Sequence, residues 1–166
     1  VRLGGISTFE RRGQILFMDD FELGFTKWIV TQLSGAPAPS LSTVNPLSGR
    51  YCVLIPTNGT GSEATEFRKY LAFSQPSRCG LEAAVGFDSD YAIVLLKFII
   101  YTGTQQIVYV IEVNRHNKTL AYVNQYSNPI TFATGVDLPV LGNLYARFKM
   151  VVNWGTQKYT RFRCNQ

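Results

Sequence analysis

The chain has 166 residues and a formal net charge of +5, from sixteen Lys and Arg against eleven Asp and Glu; 16% of its residues are charged and 13% are aromatic. That length carries one domain with a core of its own, and the low charge content suits a strand-rich protein with much buried surface. The most apolar stretch is interrupted by Lys97, short of the roughly 18 residues of a membrane-spanning helix, and the opening VRLGGISTFERRGQ lacks the apolar centre of a signal peptide, so neither a span nor a leader is expected.

Residues 1–14 read as an arm. Gly4, Gly5, Ser7 and Gly13 break any period, Arg2, Arg11 and Arg12 make it basic, and Leu3, Ile6 and Phe9 give it apolar contacts that a free tail has no use for. The body, 15–166, reads as one domain of about eleven short strands with no amphipathic helix. Strands are expected at Ile15–Met18, near Trp28–Gln32, at Leu41–Val44 and Arg50–Ile55, and over Glu66–Phe73, which alternates cleanly. A further strand at Gly80–Phe87 leads through Asp88–Asp90 into the most apolar part of the chain. This is a hairpin over Tyr91–Asn114 with Gly103 in its turn. Strands at Leu120–Tyr126, Ile130–Ala133, Leu144–Val152 and Lys158–Cys164 complete the set, the third with Leu144, Ala146, Phe148, Met150 and Val152 on one face.

The hairpin departs from the usual alternation. Val94, Leu96, Phe98, Ile100, Ile107, Tyr109, Ile111 and Val113 point one way, but Ile93, Leu95, Ile99, Val108 and Val110 make the opposite face apolar too. A sheet with one wet face alternates apolar and polar residues, so this second face calls for cover.

The order of motifs is also informative. Asp20, Phe21 and Glu22 are followed by Trp28; LSGRYCVLI opens an apolar strand from a small-residue turn; Asn117, Leu120 and Tyr122 fit N-x-x-L-x-Y; and the chain closes with YARFKMVVNWGTQKYTRF. Over about 15–164 this resembles the concanavalin-like, laminin-G-like jelly-roll sandwiches. The resemblance implies an all-β antiparallel jelly-roll sandwich with an extended N-terminal arm. Carbohydrate-binding modules and structural domains of viruses and surface assemblies both occur in that superfamily. In such domains the last Y-x-R strand usually returns as one more strand, whereas here RFRCNQ ends the sequence, and Asn153 stands where an acidic residue is common.

No catalytic constellation emerges. A sandwich glycosidase needs two neighbouring carboxylates, and Glu63 and Glu66, three apart, fall on opposite faces of a strand. His116, the single histidine, lies in the turn NRHNKT without the partners of a triad or a zinc site. Asp19 and Asp20, with Glu22 beside them, form an acidic cluster that suits either a structural calcium ion or the bonding of backbone amides in a turn; no other cofactor is expected. Cys52, Cys79 and Cys164 are odd in number and are expected to be free and mostly buried, although a Cys52–Cys79 bridge is not decidable from spacing. Trp28, Tyr122, Tyr126 and Trp154, with Asn124 for polarity, are candidates to stack on a sugar, against the ordinary role of such rings in packing. Arg11–Arg12 and Arg161/Arg163 are basic pairs only, too sparse to predict nucleic-acid binding.

Two functions follow as expectations. The favoured one is a non-enzymatic structural protein of a larger assembly, a viral capsid-decorating subunit or a filament or surface-layer subunit, placed in a virion or an extracellular assembly. Its contacts with like copies or other shell or filament subunits would use Leu3, Ile6, Phe9, Arg11 and Arg12 of the arm together with Ile93, Leu95, Ile99, Val108 and Val110. The alternative is a jelly-roll carbohydrate-binding module that takes a glycan through the aromatic set.

Overall fold

The computed structural model describes residues 15–56, 63–71, 78–101, 103–124, 127–141 and 144–165. Among them there are eleven strands in four antiparallel sheets and no helix, so the protein is all-β, with the strand content that the alternating sequence leads one to expect. The chain forms two compact units, Val1–Ser74 and Gln75–Gln166. The division falls inside the stretch 15–166 that the sequence reads as one body.

In the first unit, β1 (Ile29–Leu33) pairs with β4 (Ala64–Arg68), Ile29 opposite Arg68, and β2 (Ser40–Ser42) pairs with β3 (Cys52–Leu54). Ile15–Met18 joins no sheet. Phe17 instead puts its ring edge-on to Trp28, with centroids 5.1 Å apart, and Lys69 Nζ lies 5.2 Å above it. Trp28 also meets Phe21 and Phe67, and Phe25 packs on Phe67. This ring cluster is the packing centre of the unit, in which Ala36, at 9% exposure, is the most buried apolar residue among those described.

The second unit is a sandwich of two sheets. Strand β10 (Tyr145–Asn153) lies between β5 (Arg78–Gly86) and β11 (Lys158–Asn165), and the other sheet runs β6 (Ile93–Tyr101), β7 (Gln106–Asn114), β8 (Thr119–Val123), β9 (Pro129–Thr134). Period-two alternation puts Ala146, Phe148, Met150 and Val152 on one face of β10, and all four are fully buried. They share a core with Leu96, Tyr109, Ile111, Val113 and Leu120 of the four-stranded sheet and with Phe87 and Leu138. Leu144, expected on the same face, precedes the strand and is exposed.

Aromatic rings fill one end of this core. Phe98, Tyr109, Tyr122 and Phe132, one from each strand of the four-stranded sheet, meet Trp154, Tyr159 and Phe162 from β11 and the turn before it, with centroid distances from 5.3 to 5.8 Å. Tyr159 also closes a gap in a ladder. Strand β8 pairs with β7 from Ile111 onward, which leaves Val110 beyond the last paired position. The Val110 N–H donates to the Tyr159 hydroxyl at 2.8 Å. The single hydroxyl proton is shared between the carbonyls of Val110 (3.0 Å) and Val123 (3.1 Å).

The turn between β7 and β8 carries a buried cation. Arg115 approaches Asp90 at 3.2 Å and Asp137 at 3.9 Å, and its N–H donates to the Ala92 carbonyl. A buried guanidinium needs such partners, and here they tie three loops together.

Candidate interaction surface

The outer face of β6 and β7 follows from the register. Ile93 stands opposite Asn114, Leu95 opposite Glu112, Lys97 opposite Val110, Ile99 opposite Val108, and Tyr101 opposite Gln106. Ile93 is 55% exposed, Leu95 46% and Val108 44%, while Ile99 is half-buried. Large apolar side chains are therefore in water along a nine-residue strand, broken by Lys97 and by the carboxylate of Glu112. Strand β6 is also at the edge of its sheet. Val110 differs from the expectation: it is 7% exposed, so that position adds nothing to the accessible face. Tyr101 belongs to this face and was not singled out from the sequence, although its odd position in the run 93–101 carries the same parity signal. The arm residues Leu3, Ile6, Phe9, Arg11 and Arg12 lie outside the described residues, as does Tyr126.

The rings expected to stack on a sugar are packed on other rings. Trp28 lies among Phe17, Phe21 and Phe67 and donates its indole N–H to Asp19 Oδ2 at 2.5 Å. Tyr122 and Trp154 pack against the sandwich core. Asn124 closes a tight turn, its side-chain oxygen accepting from the Asn128 N–H at 3.0 Å and its carbonyl from the Ser127 N–H. Strand parity cannot distinguish an aromatic turned into a sandwich from one turned outward, because that depends on which face the other sheet covers.

The acidic cluster is occupied by protein donors. Asp19, whose side chain is 2% exposed, accepts from Lys27 Nζ (2.8 Å), Trp28 Nε1 and the Phe21 N–H (3.3 Å). Burial alone would raise its carboxyl, but the hydrogen bonds from Lys27, Trp28 and Phe21 outweigh that and hold it below its ordinary value. Asp20 accepts from the Glu22 N–H at 3.3 Å. Glu22 reaches across 28 residues to accept from the Arg50 N–H at 2.5 Å and the Tyr51 N–H at 2.9 Å. Among the described residues no group of three or more His, Cys, Asp or Glu side chains is arranged to hold a metal ion. The D-F-E element and the LSGRY turn, separate motifs in the sequence, are thus two sides of one contact.

The remaining chemically capable side chains are dispersed. His116 stacks on Tyr91 with centroids 4.5 Å apart. Cys52, Cys79 and Cys164 form no disulfide and are half-buried, and burial pushes the Cys79 and Cys164 thiols up. No protein-family model, curated protein or solved structure matches this chain. The class its fold defines is an all-β protein with a two-sheet sandwich as its second unit, and its function is read from its own surfaces.

Proposed function

We propose that this protein is a non-enzymatic structural subunit of a larger assembly, of the capsid-decorating, filament or surface-layer kind, and that the outer face of β6 and β7 is one of its subunit contacts. The observation that carries this reading is the exposure of Ile93, Leu95 and Val108 on one sheet face at an edge strand. Covering the exposed half of each such side chain contributes about 1 kcal/mol. A soluble monomer gains nothing from leaving that surface in water. The finer fold assignment, a concanavalin-like jelly roll, belongs to the same reading; it is supported by the face-to-face sheets of the second unit and by the joined D-F-E and LSGRY elements. The arm would supply further contacts through Leu3, Ile6 and Phe9.

Light scattering coupled to size-exclusion chromatography tests the proposal. The wild type is expected to self-associate with rising concentration, or to bind its assembly partner, and Leu95→Lys/Val108→Lys to weaken either association at least about tenfold. A wild type that stays monomeric and a double variant with unchanged partner binding would together sink it.

A further inference from the structure

The register of the three-stranded sheet assembles a surface that no single segment displays. Residues opposite one another share a face, so the outer side of β10 carries Arg147, Lys149, Val151 and Asn153. Along β11 it continues with Arg163 opposite Lys149, Arg161 opposite Val151, and Lys158 opposite Asn153. Along β5 it continues with Arg78 opposite Asn153 and Glu82 opposite Lys149. Six cations therefore share this face with one anion, Glu82, which Lys149 approaches at 3.3 Å. The local excess of five equals the net charge of the whole chain. Arg78, Lys158, Arg161 and Arg163 are exposed, and Arg147 and Lys149 are half-buried. In the rest of the second unit Lys97, Arg115 and Lys118 are matched by Asp88, Asp90, Glu112 and Asp137, so the segregation is specific to this face.

We infer that this face binds a nucleic-acid duplex through its phosphates, without reading sequence. Same-face residues along a strand stand about 7 Å apart and neighbouring strands about 4.8 Å, which makes the face a lattice of cations suited to a repeating anion. Four of the six are Arg, whose planar fork pairs with phosphate oxygens through two parallel hydrogen bonds. Between the cations lie Gly80, Ala84 and Val151, small side chains that neither stack on bases nor reach their edges. Single-strand binding would want interleaved rings, and the ring that alternation places here is Tyr145, at the end of β10. The inference does not depend on self-association through β6 and β7.

The test is fluorescence anisotropy of the full chain with a labelled DNA duplex of about 20 base pairs and arbitrary sequence. Saturable binding is expected at about 50 mM salt, falling roughly a hundredfold by about 200 mM if four phosphates are neutralised. Arg161→Gln/Arg163→Gln is expected to lose about tenfold at low salt and to flatten the log–log salt slope by about 1.8. Lys97→Gln/Lys118→Gln removes the same charge from the four-stranded sheet of the same unit, at β6 and the β7–β8 turn, and is expected to stay within about twofold. If circular dichroism shows that the β11 pair disturbs folding, Arg78→Gln/Lys158→Gln carries the same expectation. Absent binding at low salt, equal losses from the two charge-removing pairs, or unlabelled polyglutamate competing better than unlabelled duplex would each overturn the inference.

Discussion

At the residue scale, the acidic cluster shows how a motif that suggests a metal works as a fastener. Phe21 adopts φ 61°, a left-handed conformation that costs energy for a residue with a side chain. It is held by the Asp19 and Asp20 carboxylates on flanking amides and by its ring against Trp28 and Phe67. Gly49 answers from the other side. Its φ is +68°, and a Cβ there would collide with the Glu22 carboxylate. Gly49→Ala is therefore expected to destabilise by about 2 kcal/mol or more, combining left-handed strain with loss of the Glu22 contacts. Urea unfolding with an unchanged midpoint would refute this account of the turn. Asp19 sets a pH dependence. Its carboxyl is held below its ordinary value of 3.8 in the folded chain. The stabilisation it provides is complete above that value and is lost as pH falls through the folded one. Asp19→Asn is expected to be less stable than wild type at neutral pH, with the gap closing below about pH 4. Urea midpoints from neutral to acid pH measure it, and a constant gap would show that the charge of Asp19 is irrelevant.

At the element scale, the strands owe their positions to alternation and their partners to geometry that alternation does not carry. The expected strands Lys158–Cys164 and Leu144–Val152 correspond to β11 and β10 within a residue or so at each end, because exposed and buried positions change every second residue. The expected strand at Ile15–Met18 is not in a sheet, since an apolar run of four can satisfy its side chains by packing on Trp28 without a ladder partner. The join of β7 to β8 depends on a residue 49 positions from Val110. Tyr159→Phe removes the group that serves one N–H and two carbonyls where the strands part. It is expected to cost about 1–3 kcal/mol, because buried main-chain groups left unpaired keep their desolvation penalty. Thermal or urea unfolding tests this, and a neutral substitution would mean that solvent replaces the hydroxyl.

At the scale of the whole molecule, the two units differ in what holds them. In the described residues of the first, the ladders are two-stranded and three to five residues long around one cluster of rings. The second has nine-residue strands over a core in which Phe148, Leu138, Met150, Val113 and Val152 are fully buried. Short two-stranded ladders open readily, and strands bonded on both sides do not. Hydrogen exchange is expected to leave β10 and β7 among the slowest amides and to exchange β1 to β4 at least about tenfold faster. Equal protection of β1 and β10 would show that the units open together.

The sequence by itself determined the all-β class, the long strands of the second unit and the apolar character of both sides of the hairpin. Each of these is a local periodicity, and side chains on a strand alternate whatever the strand is next to. Tertiary structure decided which aromatics face inward, that Asp19, Asp20 and Glu22 hold indole and amide groups, that Val110 is buried, and that Arg78, Arg147, Lys149, Lys158, Arg161 and Arg163 share one face. Those outcomes are set by pairings between residues as many as 75 positions apart, such as Asn153 with Arg78 on one side and with Lys158 on the other. A basic pair in β11 becomes a charged surface once antiparallel register lays it beside β10 and β5, and no count of charges along the chain contains that register.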